Sequence, residues 1–402
     1  MIVNFSLVNE LFRGFHIQRW NDRIRPMDLI EMDKHAHKMI IAYCLAKYEE
    51  AEGKTINWQL IIKNGIYELI RRIIISDIKS PIYAEVRKHK SVFKELNNYV
   101  FKQLEPKIEN NEIKNEIADF LFNDTDKYEI SSRILDAAHI YASYWEFQII
   151  KQSNPFSYQN IRLETDLLNR LNVFNDLIGI QKLTNKHTIV NFVDLCGQLR
   201  FQIRWAQLPR VPKTSVLGHT MLVAVISYFF ARENNACDKR LYNSFFGGLY
   251  HDLPETVTRD IISPVKRSSE EFDELIKHLE IQLAEKEIFP LIEKEWLDEI
   301  KYYTFNEFNN KVMIDSKIYD KDITISMLND QYNQNRFNPY DGEAIRAADH
   351  LAAFLEAWNS CSAGIKTEEL SHAAQKIKED YMSRTIGNVK INNLYSNFKH
   401  IC

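Results

Sequence analysis

Turn-forming residues are scarce in this chain, and that scarcity constrains its fold more than any other feature. Eleven Gly and ten Pro are spread over 402 residues, about half of what average usage would supply. A chain with so few corners has to run in long elements, and sheet-rich folds need more punctuation, so the expected class is all-α. The apolar spacing agrees. Between Ser215 and Arg232 the side chains of Leu222, Val223, Ile226 and Phe230 fall on one helical stripe; between Arg346 and Trp358, Ala348, Ala352 and Leu355 do the same. No run alternates in the manner of a strand. Residues 311–342 depart from the pattern. They are rich in Asp, Asn, Tyr and Gln, contain Asn338-Pro339 and Asp341-Gly342, and read as a long loop or inserted polar lobe.

The length suffices for two domains, each with its own core. Hydrophobic residues at 45% and charged residues at 26% are the balance of a soluble globular chain. Fifty-one basic residues against 55 acidic ones leave a net charge of −4, which argues against a protein built mainly to coat nucleic acid. The five cysteines are scattered, odd in number and without a Cys-x-x-Cys pair, so neither a disulfide framework nor a thiolate zinc site is expected. No basic segment leads into an apolar run at the N-terminus. The most apolar stretch, Leu222 to Ala231, is too short to span a bilayer. The expected location is cytoplasmic, with no membrane partner.

The chain also repeats itself. Leu249-Tyr250 through Ser263-Pro264-Val265 aligns without gaps to Ile66-Tyr67 through Ser80-Pro81-Ile82, with Asp260 and Asp77 at the same place. Upstream, Arg204-Trp205 with Arg210 is echoed by Arg19-Trp20 with Arg25; downstream, Ala347-Ala348 is echoed by Ala137-Ala138. Agreement in order at three places points to an internal duplication. The expected organisation is a first helical domain at 1–155, a helical linker at 156–190 and a second domain at 191–402, with the insertion at about 311–342 in the second.

One constellation could carry chemistry: His219, then His251-Asp252, then Asp349, each on or at the end of an expected helix. His219 shares the inward stripe of Leu222, Val223 and Ile226, and Asp349 that of Ile345, Ala348 and Ala352. A lone core histidine is more often hydrogen-bonded than ligating, and a lone buried carboxylate is more often paired. Two imidazoles and two carboxylates converging from three helices instead make a mixed nitrogen–oxygen site. Such a set suits one divalent ion, with Mn, Co, Fe, Zn, Ni or Mg as candidates, in a partly open shell.

His251-Asp252-Leu-Pro-Glu255-Thr-Val-Thr-Arg-Asp260-Ile-Ile-Ser-Pro264-Val-Lys266 resembles the second signature of HD-domain metal-dependent phosphohydrolases, and is most similar to the branch of bacterial 5′-deoxynucleotidases. Arg204 and Trp205, fifteen and fourteen residues before His219, and Ala348-Asp349 ahead of an apolar helix resemble its other motifs. The resemblance covers about residues 195–385 and implies an HD-domain helical bundle. It implies His219, His251, Asp252 and Asp349 as metal ligands and Glu255 as general acid/base. It further implies that Asp260 orients water or phosphate, Arg204 takes phosphate oxygens and Trp205 packs on the sugar. The implied function is hydrolysis of nucleotide phosphomonoesters, nucleoside (deoxy) 5′-monophosphates first. The alternatives are another nucleotide (a cyclic dinucleotide, a triphosphate or an alarmone) and a non-catalytic nucleotide-binding module.

Two positions depart from that branch. Gly218 stands where it often has Glu before the first His, and Pro254 separates Asp252 from Glu255, so that Glu255 is expected to begin a new helical segment. The first copy lacks the equipment: Glu68-Leu69 stands at the His-Asp position and Arg72 at the Glu position, while His35 or His37 echoes His219 and Asp136 or His139 echoes Asp349. It reads as a degenerate HD-like domain. Because the branch forms homodimers, the chain is expected either to form one or to imitate it as an intrachain pseudo-dimer.

Overall fold

The computed structural model describes residues 1–76, 78–123, 129–259 and 269–398, and helices dominate them. The frame consists of α1 (Phe5–Phe12), α2 (Glu31–Ala51), α3 (Trp58–Ile75), α4 (Ile130–Ser153), α5 (Ile189–Gln198), α6 (Val216–Glu233), α7 (Asp238–Tyr250) and α8 (Gly342–Ser362). The class is all-α, as the scarcity of Gly and Pro implies. Helix starts follow local chemistry: Asn4 caps α1, its Oδ1 accepting from the Leu7 amide, and Ser215 caps α6, its Oγ accepting from the Gly218 amide.

α2 and α6 lie against each other at the centre and are buried along almost their whole length. α6 meets that burial with apolar side chains, whereas α2 carries Lys34, His35, His37, Lys38 and Glu49 into the interior. One hydrophobic core runs through both halves of the chain. The first helix of each half reaches across: α1 sets Phe5 edge-on to Trp358 of α8, and Asp194 of α5 accepts from the Trp145 indole of α4 at 2.9 Å.

Two antiparallel pairs, β1 (Gln18–Arg19) with β2 (Leu29–Ile30) and β3 (Val312–Ile314) with β4 (Lys317–Tyr319), correct the expectation of a chain without strands. At two or three residues each they are too short to print an alternation. The second pair belongs to the 311–342 insertion, which is more than a loop. Lys311 and Tyr340 exchange backbone hydrogen bonds at its base (3.0 and 2.9 Å), and a short helix, Ile325–Asp330, follows the hairpin. Buried Arg240 on α7 grips Asp341 through two 2.7 Å contacts and fastens the lobe. Among the described residues no helix is long and apolar enough to cross a membrane.

Candidate metal centre

Three of the four expected ligands are brought together by the close approach of α6 and α7. Gly248 makes that approach: a Cβ there would stand 2.8 Å from the Ala224 Cα, so only a hydrogen at this position lets the helix backbones meet. Three residues later the chain leaves α7 at His251, opposite His219 in the first turns of α6. His219, His251 and Asp252 each offer a ligand atom within 4.8 Å of the others. Asp349, from the middle of α8, joins through His219, its Oδ1 lying 2.9 Å from His219 Nε2.

Each imidazole is aimed by its other nitrogen. His251 Nδ1 lies 2.9 Å from the Gly248 carbonyl, which makes it the donor and leaves Nε2 with its lone pair toward the cluster, 3.2 Å from Asp252 Oδ2. His219 Nδ1 faces the carboxylate of Glu356 at 3.7 Å. The Nε2 atoms of both histidines are buried and make no hydrogen bond of good geometry, although each lies within ion-pair distance of a carboxylate. Imidazole nitrogens so placed beside two carboxylates fit a divalent ion, which would satisfy both at once.

The electrostatics say the same. Burial works to lower the His251 pKa, but Asp252 and Asp349 outweigh it and push the group up to about 9. Burial likewise opposes ionisation of Asp252, and His251, with His219 and Arg204, more than reverses it, holding the carboxyl well below its usual range. Asp349 is held down in the same way by His219 and His251. The cluster thus favours ionised carboxylates, stabilised by positive charge on the groups beside them.

A residue the sequence reading did not single out organises the surroundings. Glu356 lies seven positions after Asp349 on α8, about two turns further along the same stripe, and is fully buried. It accepts from Arg204 Nε at 3.2 Å, from the Trp205 indole at 2.8 Å and from the Thr214 hydroxyl at 2.8 Å. Arg204 Nη1 thereby stands 3.9 Å from Asp252 Oδ2. A Glu on an inward stripe beside Ala352 and Leu355 was the available signal. Trp205 takes a left-handed backbone, φ 57°, as its ring turns back to this carboxylate.

Glu255 begins a short helix, Glu255–Thr258, directly after Pro254, as expected, and is buried. Gly218 also finds its reason: a Cβ there would come within 2.6 Å of both Asp33 Oδ1 and the Phe15 ring. An acid is present at that place after all, contributed by α2 of the other half. Asp260, like Asp77, lies outside the described residues.

In the N-terminal half the same geometry recurs with other side chains. Arg19 Nε and the Trp20 indole both donate to buried Glu146 of α4, at 3.0 and 2.8 Å, and Trp20 has φ 56°. The bridge Gln18↔Ile30 matches Ile203↔Ser215, 185 positions later on both sides. At the place of His219, however, stands Lys34, which corrects the expectation of His35 or His37. Those two point elsewhere, His35 to Glu31 at 3.1 Å and His37 to the Val193 carbonyl at 2.9 Å. Lys34 Nζ lies 2.5 Å from Nδ1 of His139, whose Nδ1 is also 3.5 Å from Glu68; Glu68 pairs with Lys38. Leu69, fully buried, fills the place of Asp252.

Residues 196–378 match the family model of the HD domain. No curated protein and no solved structure matches the chain. HD domains are typically metal-dependent phosphohydrolases, and a hydrolase that uses a divalent metal is the function this match supports.

Proposed function

We propose that the HD domain hydrolyses phosphomonoesters of nucleotides, with nucleoside (deoxy) 5′-monophosphates as preferred substrates. The observation that carries this reading is the Arg204–Trp205 pair. One buried carboxylate, Glu356, holds a guanidinium and an adjoining indole beside the ligand cluster. That places a planar cation for phosphate oxygens next to a flat ring suited to a sugar.

His219, His251, Asp252 and Asp349 would hold the ion. When bound, it supplies a water of lowered pKa and stabilises charge building on phosphorus. The chain's own residues do the rest. Arg204 takes the phosphate, and Trp205 crowds the sugar's 2′ position. Glu255, buried one turn beyond Asp252, holds the proton exchanged with water or leaving group; Asp260 orients the phosphate end. The test is phosphate release by purified protein with Mn²⁺ or Co²⁺ over a panel of ribo- and deoxynucleoside monophosphates, triphosphates, cyclic dinucleotides and alarmones. Release from monophosphates with a deoxy preference supports the reading. Turnover confined to another class overturns the substrate, and tight binding without turnover overturns the enzyme.

We further propose that residues 1–155 are a degenerate copy of the HD domain and that one chain imitates a homodimer. The support is the repeated latch, Arg19–Trp20–Glu146 against Arg204–Trp205–Glu356, together with the constant 185-residue spacing of the bridges.

A further inference from the structure

A cavity of about 1010 Å³ opens where the two halves meet, away from the metal centre; none of the four candidate ligands lines it. Its walls come from the segments that follow the first helix of each half. They correspond across the 185-residue spacing: Arg25 and Arg210, Asp28 and Lys213, Ile30 and Ser215 all line it. The cavity therefore draws corresponding positions from both halves, but its two sides differ in charge.

On the first side Arg25 is paired with Asp28 at 3.2 Å. On the second the place of Asp28 is taken by Lys213, and the acid whose charge reaches Arg210 is buried Glu356, already engaged by Arg204. Arg210 is 9% exposed, and its direct hydrogen-bond acceptors are all neutral: the carbonyls of Pro212 (2.9 Å) and Arg204 (3.3 Å) and the Thr214 hydroxyl (2.5 Å). Its Nε is buried without a hydrogen-bond partner. Arg23, also in the wall, donates to the neutral amide oxygen of Asn160 at 3.0 Å. The remaining charges in the wall are accounted for. Arg200 is neutralised by Glu146 at 3.0 Å, and Asp33 is tied to the Ser215 hydroxyl. A guanidinium removed from water among neutral acceptors is costly, and an anion arriving at it offsets that cost.

The rest of the lining is apolar and partly open, with Phe201 39% and Ile203 38% exposed beside these cations. We propose that this cavity binds a nucleoside polyphosphate as an effector: phosphates at Arg210, Lys213 and Arg23, base against Phe201 and Ile203. Its volume is of the size that small-molecule sites of this kind require. Occupancy would be felt at the metal centre, because the Thr214 hydroxyl that accepts from Arg210 donates to Glu356, the carboxylate that fixes Arg204 and Trp205.

The test is calorimetric titration of metal-stripped protein with a panel of nucleoside diphosphates, with pyrophosphate as comparator. The expected result is one site per chain, tighter for at least one nucleoside diphosphate than for pyrophosphate. Lys213→Glu, which restores the acid of the first half, should weaken it at least about ten-fold, and Phe201→Ser should remove the advantage over pyrophosphate; about 1.4 kcal/mol corresponds to that ten-fold. Both side chains are exposed enough for the variants to fold, which circular dichroism verifies. No binding by any member of the panel, binding indifferent to Lys213→Glu, or binding lost instead with Arg204→Ala would overturn the proposal, the last by assigning the ligand to the metal centre. The readout needs no turnover, so failure of the hydrolase reading leaves this result interpretable.

Discussion

The two polar clusters of this protein share a latch and differ at the centre. In both halves an Arg-Trp pair is drawn onto a buried Glu of a long helix, with Trp in a left-handed backbone. In the C-terminal half the latch encloses His219, His251, Asp252 and Asp349, with two buried imidazole nitrogens facing carboxylates without good hydrogen-bond geometry. In the N-terminal half it encloses Lys34, Glu68 and His139, which satisfy one another. There burial drives Lys34 and His139 toward their neutral forms, and burial of Glu68 is overridden chiefly by Lys38, which keeps that carboxylate ionised. The lesson is that a cluster needing an outside cation and a cluster supplying its own can be built on one scaffold. Between the two, Lys34 and Glu68 stand for the histidines, and Leu69 and His139 for the aspartates.

That contrast can be broken most sharply at the ligands. His251→Ala or Asp252→Ala should abolish both turnover and metal uptake while the helical signal in circular dichroism persists. In the other half Glu68→Ala should leave metal stoichiometry, measured by inductively coupled plasma analysis, at one ion per chain. It should lower the melting temperature instead, because it strips buried Lys38 of its partner. A second ion, or loss of activity on this change, would contradict a silent first half.

The latches offer a finer comparison. Glu356→Gln should reduce kcat/KM by about 10–100-fold, the range typical of residues that hold the groups around a metal. Part of the loss should appear in KM, since Arg204 and Trp205 are released together. Glu146→Gln removes the same charge from Arg19, Trp20 and Arg200, and should cost stability with little change in kcat/KM. Equal kinetic losses from the two would erase the distinction between the halves.

The last difference expected is one of pH, confined to stability. Burial raises the Asp33 carboxyl to about 7, against the opposing pull of Arg200 and the Ser215 hydroxyl. Between about pH 4 and pH 7 the native chain therefore keeps a proton that the unfolded chain has released, so stability falls as pH rises through that window and levels off above it. In Asp33→Asn this contribution disappears. The difference in unfolding free energy between wild type and variant, followed by urea titration, should change within that window and stay flat outside it.

The helical class, the four candidate ligands and the Arg-Trp pair are legible because each is written in local spacing: few corners, stripes at helical period, and motifs at fixed separation. The strand pairs escaped because two or three residues cannot display an alternation. Glu356 escaped because its role depends on which residues of a distant segment turn back toward it. Residue type points to His35 or His37 rather than Lys34, whereas the helical rotation of α2 decides which of these neighbours faces the cluster. Gly218 looked like a defect in the motif, and its reason, the carboxylate of Asp33 packed against it, lies on the other half of the molecule.

By itself, then, the order of amino acids determined which segments are helical and which side chains could meet around a cation, since both follow from short-range periodicity and chemical type. Only the tertiary structure decided that Glu356 ties the latch, that Lys34 closes the first cluster, and that two unlike walls enclose a basic cavity. Each of those depends on the approach of segments more than a hundred residues apart in the chain, and no local pattern encodes which faces they turn to one another.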